Sequence, residues 1–398
     1  MNKPHFIVKK NLQKSAQTGI LFSDVVTPEI LADVCYRITG KTEFSYEYVD
    51  NDYSDTFVGP TYNKGRMAIM IWYDSVHYIT FSEKNIGGRN SSVQSVPTAF
   101  NMFYMNPHHK KFLHYYFLNV EGNAGTDYQM LIYRLMATVG FNFLNADFVI
   151  NRTIAPFNSI DDIIFNRRIN AGRNQSNNSS YITKGNQGII EIYGKTYGAN
   201  KYETSLMCYA AATLCEDNQN IKLYEVLEGD LKELPASSLS VINSMKVINV
   251  IPTDMTLEKT IFEGKKNLRS PRYTFNLLEK LGSKHCALCN CEIPELIQGA
   301  HIWPVADIKR ERTLSIEDKL RYATDGDNGL WLCENHHKMF DEHMITFDSN
   351  GHLMFRKNID RWHMKFIDEI TRYNCLPSEI LTDNFLWYLD QRMYCQNI

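Results

Sequence analysis

The sequence has no apolar run long enough to span a bilayer, which takes about 20 consecutive apolar residues. Its first residues, Met-Asn-Lys-Pro-His, do not lead into the apolar core of a signal peptide. A cytoplasmic location is therefore expected. There is no internal repeat and no long low-complexity tract, which excludes repeat architectures. A strong charge of either sign is missing too: 42 Lys and Arg against 45 Asp and Glu leave a formal net charge of −3. The chain is not a polybasic nucleic-acid binder throughout, so any such face must come from local clusters of Lys and Arg.

What is present is a 398-residue chain with 44% hydrophobic and 22% charged residues, enough to bury a large core and more than one ordinary domain needs. The nine cysteines are an odd count. Cys35, Cys208, Cys215, Cys375 and Cys395 are scattered and read as buried small hydrophobes in a reducing compartment. Cys286, Cys289, Cys291 and Cys333 need another account.

Residues 1–260 read as mixed α and β. Met67–Tyr73 and Tyr78–Phe81 are expected to be paired strands. Tyr128–Val139 has the three-to-four apolar spacing of a helix. Ile189–Tyr193 and Ile221–Leu227 are expected strands, with a helix over Tyr202–Cys215 between them. Asn166–Gln187 reads as a loop by composition, rich in Asn, Ser and Gly with Arg167, Arg168, Arg173 and Lys184. A loop of about twenty residues inside a domain signals function or disorder. A second basic stretch, Lys265, Lys266, Arg269 and Arg272, leads into a helix over Tyr273–Leu281 that stops at Gly282. The domain boundary is placed near residue 260. Asn350-Gly351 between Met344–Phe347 and His352–Phe355 signals a hairpin. The chain from Asp360 onward reads as helical.

Between Cys286 and Asp341 two ligand sets interleave. Cys286-x-x-Cys289 puts two thiolates on one tight turn, and Cys333-x-x-His336 supplies a second pair. Four such ligands suit a structural zinc. Cys291 is spaced less well and reads as a spectator. If Cys333–His343 is a helix, His337 and Asp341 share one face. An imidazole and a carboxylate together suit a divalent ion that also takes water and phosphate oxygens. His301, in a short apolar stretch halted by Pro304, can accept a proton from water at neutral pH. Asn328 opens the following strand, where its amide could orient His301 or join the metal shell.

With these residues in this order, the segment over residues 270–356 resembles the HNH endonucleases of the ββα-metal fold, in the branch carrying Ala-His-Ile. The resemblance implies that His301 is the general base and that His337 is a ligand of the catalytic metal. It aligns Asn328 with the Asn before the second strand and Asp341 with a position often held by His. Many relatives have an Asp ligand just before the base, where this chain has Ala300. The implied fold is α+β: a large mixed α/β N-terminal recognition region (1–260), a zinc-stabilised ββα-metal HNH module (261–356) and a C-terminal helical tail (357–398). The implied reaction is hydrolysis of a DNA phosphodiester with Mg²⁺ or Mn²⁺, leaving 5′-phosphate and 3′-hydroxyl ends.

A large region before a small nuclease module is expected to recognise the target. The Arg, Asn and Gln of Asn166–Gln187 suit guanine and adenine edges; Lys265, Lys266, Arg269 and Arg272 suit phosphates. The aromatic clusters Phe100–Tyr104 and Phe112–Phe117 read as core or dimer interface. Glu191 and Lys195, after Asp161-Asp162, resemble the acidic and Lys pattern of the PD-(D/E)xK nucleases with the spacing off, because Tyr193 stands where the Lys should be. An inactive remnant, a recognition scaffold and a second active site are all left open. The whole looks like a type II restriction endonuclease acting on double-stranded DNA as a homodimer. A modification-dependent or less specific defence nuclease is the alternative, and a zinc-containing DNA-binding regulator without catalysis is a third reading.

Overall fold

The computed structural model describes residues 3–10, 21–49, 67–82, 95–118, 127–146, 154–170, 179–196, 200–217, 219–227, 234–245, 248–253, 262, 270–356 and 358–396. In chain order these form β1 (His5–Lys9), α1 (Pro28–Thr39), β2 (Ser45–Val49), β3 (Met67–Trp72), β4 (Ser75–Phe81), α2 (Val96–Met105), β5 (Lys110–Tyr116), α3 (Asp127–Thr138) and β6 (Phe141–Phe143). Then come α4 (Ile160–Asn170), β7 (Ser180–Lys184), β8 (Ile190–Lys195), α5 (Asn200–Leu214), β9 (Ile221–Val226), α6 (Ala236–Met245) and β10 (Ile248–Thr253). The remainder is α7 (Pro271–Leu281), β11 (Ile297–His301), α8 (Val305–Arg310), α9 (Ile316–Thr324), β12 (Gly329–Cys333), α10 (Glu334–Asp341), β13 (Ile345–Phe347), β14 (Leu353–Phe355), α11 (Arg361–Ile370) and α12 (Asp383–Gln396). The fold is mixed α+β.

Two compact units interleave along the chain. The first takes residues 1–162, 196–217 and 234–248. Its six-stranded sheet has the order β2-β1-β3-β4-β5-β6. β3 and β4 pair antiparallel, whereas β4–β5 and β5–β6 are parallel. β4 is buried along its whole length, and β3 over its first four residues, as expected of runs with little polar alternation. Phe6, Val8, Phe22, Leu31, Met70 and Phe81 pack one core on this sheet. Phe100 of α2 is buried and stacks on Tyr209 of α5 at 4.5 Å, a core role. Phe112, by contrast, is exposed.

The second unit takes residues 163–195, 218–233 and 249–398, so a cut near residue 260 falls inside it. It holds the four-stranded sheet β10-β9-β8-β7 and the two hairpins β11–β12 and β13–β14. One hydrophobic cluster runs from Tyr181 and Tyr193 of the sheet, through Phe275 and Leu277 of α7 and Trp331 of β12, to Ile367, Phe385 and Leu389 of the last two helices. The segment read as a tail thus shares the core of this unit.

The reading of Asn166–Gln187 as one loop is corrected. Asn166–Asn170 completes α4, and Ser180–Lys184 is strand β7. The helix has a start signal: Ser159 Oγ accepts from Asp162 N at 3.1 Å while Asp162 accepts from Asn158 N at 3.2 Å, close to a capping box. Residues 171–178 lie outside the described set.

Candidate functional site

The zinc-type ligands converge. Cys286, Cys289, Cys333 and His336 place their ligand atoms within 4.8 Å of one another. Cys289 Sγ lies 3.8 Å from Cys333 Sγ, and His336 Nδ1 lies 3.4 Å from Cys286 Sγ and 3.1 Å from Cys333 Sγ. A tetrahedral zinc with Zn–S of about 2.3 Å has S···S edges of about 3.8 Å and S···N edges of about 3.5 Å. The set therefore fits a Cys₃His structural zinc. Local backbone explains the convergence: Cys286 N donates to Cys291 O at 2.9 Å and Leu288 N to Cys286 Sγ at 3.5 Å, closing the Cys-x-x-Cys turn. Cys291 thus contributes its carbonyl. β12 ends in Cys333, and α10 begins at the next residue, so His336 sits in the helix's first turn. The Cys286 thiol and His336 beside it draw the Cys333 thiol well down, while Cys286 itself is pushed up. His336 Nε2 is paired with Thr371 Oγ1 at 3.1 Å, an outer partner that leaves Nδ1 for a metal. Thr371, far along the chain, carried no signal in the sequence.

Among the scattered cysteines, Cys35, Cys208 and Cys215 are buried as expected. Cys375 is exposed, which corrects the buried reading: it follows α11 in an open connection. The side chain of Cys395 lies outside the described set.

His301 ends β11, and His337 and Asp341 lie one turn apart on α10. All three line one cleft of about 1250 Å³. His337 Nε2 is 3.8 Å from Asp341 Oδ2. The His301 ring stacks on Tyr273 of α7 at 4.0 Å and 12°, and Nε2 is 2.9 Å from Ala323 O. A carbonyl only accepts, so Nε2 carries the proton and Nδ1 is left as the basic nitrogen. Burial draws the His301 pKa down to about 4, His337 pushes it the same way, and only the Ala323 carbonyl opposes. The ring is neutral at pH 7.

Tyr273 is a residue that sequence reasoning missed. Gly299 and Gly329 face it across β11 and β12. A Cβ on Gly299 would stand 2.5 Å from Leu277 and 3.0 Å from Tyr273; one on Gly329 would collide with the Tyr273 hydroxyl. The two glycines let α7 lie flat on the hairpin, and that places the tyrosine ring under His301. Asn328-Gly329 carried a signal, though it reads as a turn.

Asn328 is fully buried. Its Oδ1 accepts from Trp303 N at 2.7 Å, and its Nδ2 donates to Trp303 O at 3.2 Å and Tyr322 O at 3.0 Å. With its amide engaged this way it braces the segment after His301, and a place in a metal shell is not supported. Ala300 is buried opposite Leu330, so position 300 belongs to the core. Arg392 was also missed: its buried guanidinium donates to Ile302 O and Phe340 O, each next to a site residue.

The residues assigned to DNA fare differently. Arg167 is buried, donates to Ser180 O at 2.6 Å and lies over Tyr181; it ties α4 to β7 and is not available to guanine. Arg272 donates to Leu227 O, which ties α7 to β9. The side chain of Arg168, and Arg173, Lys265, Lys266 and Arg269 entirely, lie outside the described set. Glu191 and Lys195 do not form one centre. Lys195 pairs with Glu279 at 2.9 Å, while Glu191 pairs with Lys284 at 3.6 Å. Asp162 is engaged at the start of α4.

A β-hairpin followed by a helix, with a Cys₃His knuckle that could hold zinc beside an imidazole and a carboxylate, has the arrangement of a nuclease module of the ββα-metal kind. Residues 286–348 match the model of the HNH endonuclease family, and the chain carries an HNH-type nuclease module whose substrate is DNA. No curated protein matches the chain. No helix among the described residues is long and apolar enough to cross a membrane.

Proposed function

We propose that this chain is a type II restriction-type endonuclease, cytoplasmic and homodimeric, that cuts double-stranded DNA at a specific sequence and leaves 5′-phosphate and 3′-hydroxyl ends. The observation that carries the reading is the meeting of His301, His337 and Asp341 in one cleft. Lys222, Lys284 and Lys309 line the same cleft and supply positive charge for phosphates.

In this reading His301 is the general base. Its Nε2–H is committed to Ala323 O and Tyr273 fixes its plane, so Nδ1 takes the proton of the attacking water. Asn328 and Tyr273 are positioning residues. His337 and Asp341 would hold Mg²⁺ or Mn²⁺, a hard ion suited to a site with a carboxylate. When bound there, it would supply polarisation of the scissile phosphate and stabilisation of the leaving 3′ oxygen. With Ala300 in the core, Asp341 is the carboxylate assigned to the ion.

His301→Ala tests the assignment. Cleavage of mapped DNA with Mg²⁺ should fall by at least about 10³-fold, while zinc content and DNA binding stay at wild-type level. Cleavage at the normal rate overturns the base assignment. Methylated and unmethylated plasmid compared side by side separate this reading from a modification-dependent nuclease.

A further inference from the structure

The cleft has a second wall that the nuclease chemistry does not use. It is built from β8 and β9, where Glu191, Tyr193, Lys222 and Tyr224 face the same space as His301. The Tyr193 and Tyr224 rings stack at 4.6 Å and 14°. The Tyr193 hydroxyl donates to Glu191 Oε2 at 3.1 Å, and Lys284 Nζ stands 3.6 Å from that same oxygen. Glu191 Oε1 has no hydrogen-bond partner among the described residues. It rests against Gly185, where a Cβ would stand 2.6 Å away. One carboxylate oxygen is therefore anchored, and the other is a fixed acceptor on a residue that lines the cleft.

We propose that Glu191 is a base-reading residue, whose Oε1 accepts a hydrogen bond from the exocyclic amine of a cytosine or adenine in duplex DNA, with Tyr193 holding it in place and Lys222 contacting the backbone. The proposal rests on the cleft being the DNA site. A carboxylate next to phosphates is repelled by them unless it meets a cation or a donor; Asp341 is assigned to the ion, and for Glu191 Oε1 the major-groove edge offers the amines of cytosine and adenine. Anchoring by Tyr193 and Lys284 lowers the cost of fixing the side chain on binding. The Tyr193–Tyr224 stack stiffens the strand pair that carries it. Lys222 forms no pair among the described residues and is left for a phosphate; such contacts carry affinity and no sequence information.

The test reads binding, so it does not depend on cleavage. The full-length, zinc-loaded His301→Ala protein selects duplexes from a randomised pool, and the same selection is run with Glu191→Ala, Tyr193→Phe or Lys222→Ala added. Zinc content and melting temperature report folding. The Glu191→Ala and Tyr193→Phe proteins should lose preference at one shared base-pair position and keep the rest of the motif. The Lys222→Ala protein should bind every sequence more weakly with the motif unchanged. At the shared position, replacing adenine by purine, or cytosine by 2-pyrimidinone, deletes the amine. Affinity of the parent should fall about tenfold or more, and that of the Glu191→Ala protein should not change. An unselective parent, an unchanged motif in both Glu191→Ala and Tyr193→Phe, an even loss of affinity for all sequences in Glu191→Ala, or equal losses on amine deletion would each overturn the proposal. A protein that selects a motif but cuts no DNA would instead remove the nuclease reading and leave this one standing.

Discussion

Replacing Arg392 by Met should weaken both the fold and the cutting. The guanidinium is 1% exposed. Nη1 donates to Ile302 O at 3.1 Å, and Nη2 donates to Phe340 O and to His343 Nδ1, the latter at 3.0 Å. The group also lies 3.9 Å from the centre of the Phe340 ring. Ile302 follows His301, and Phe340 precedes Asp341, so one side chain of α12 joins the end of β11 to the end of α10. Burial draws its pKa down to about 10, which leaves it charged at neutral pH. Hydrogen bonds from a charged group contribute about 1.5–3 kcal/mol each. The methionine would leave the buried Ile302 carbonyl unpaired and Phe340 O with only its backbone donor, His343 N at 3.1 Å, and a loss of about 2–4 kcal/mol follows. Against a typical total of about 5–15 kcal/mol, this is a large share. Urea unfolding of Arg392→Met and Arg392→Lys, with zinc content measured alongside, gives the stability. Lysine keeps the charge without the fork, so it should recover only part. Cleavage by the folded fraction should fall at least about tenfold, because a displacement of about 1 Å between reacting groups costs on the order of 10²-fold. An Arg392→Met protein within about 1 kcal/mol of wild type, cutting at the normal rate, would refute the reasoning.

Three further outcomes are expected. Metal analysis should find one tightly held zinc per chain, and Cys286→Ser should lose it together with the cooperative unfolding of the second unit; a stable, zinc-free protein would remove the Cys₃His assignment. Gly329→Ala should destabilise by about 1–3 kcal/mol, since the new Cβ meets the Tyr273 hydroxyl and Leu277, and chemical denaturation reads this directly. In the first unit, His77 and His114 stack at 5.2 Å and share a hydrogen bond of 3.0 Å, and His114 Nδ1 is buried without a partner. Burial draws the two pKa values down to about 4 and about 3. The unfolded chain, with a His pKa of about 6.5, takes up protons that the fold refuses. Stability is therefore full above about pH 6.5 and declines as pH falls toward 4, by roughly 3 kcal/mol for His77. Unfolding measured from pH 7 to pH 4 should show this decline, and a His114→Leu protein should show less of it; equal slopes would contradict the account.

Local signals carried much of the fold. The apolar run of β3, the Ser270 cap that accepts from Tyr273 N at 3.3 Å, and the Asn-Gly turn of β13–β14 each act within a few residues, so the sequence displays them directly. The zinc set was legible for the same reason, since each half is a pair on one turn. Composition gives Asn166–Gln187 as a loop, whereas the capping groups Ser159 and Asp162 start a helix that runs into it. The charge of Arg167 does not say whether it meets solvent or, as here, a carbonyl.

By itself, the sequence determined the ligand types and their order: three cysteines and a histidine for zinc, and His301, His337 and Asp341 in the spacing of an HNH module. Tertiary structure alone decided what each of them faces. Tyr273 comes under His301 because two glycines on neighbouring strands leave room for a helix from earlier in the chain. Thr371, at the end of α11, and Arg392 of α12 reach the module from beyond the matched segment, and β8 and β9 bring Glu191 to the cleft from about a hundred residues upstream. Packing brings these groups together across long separations in the chain, and such contacts leave no periodicity or spacing to read.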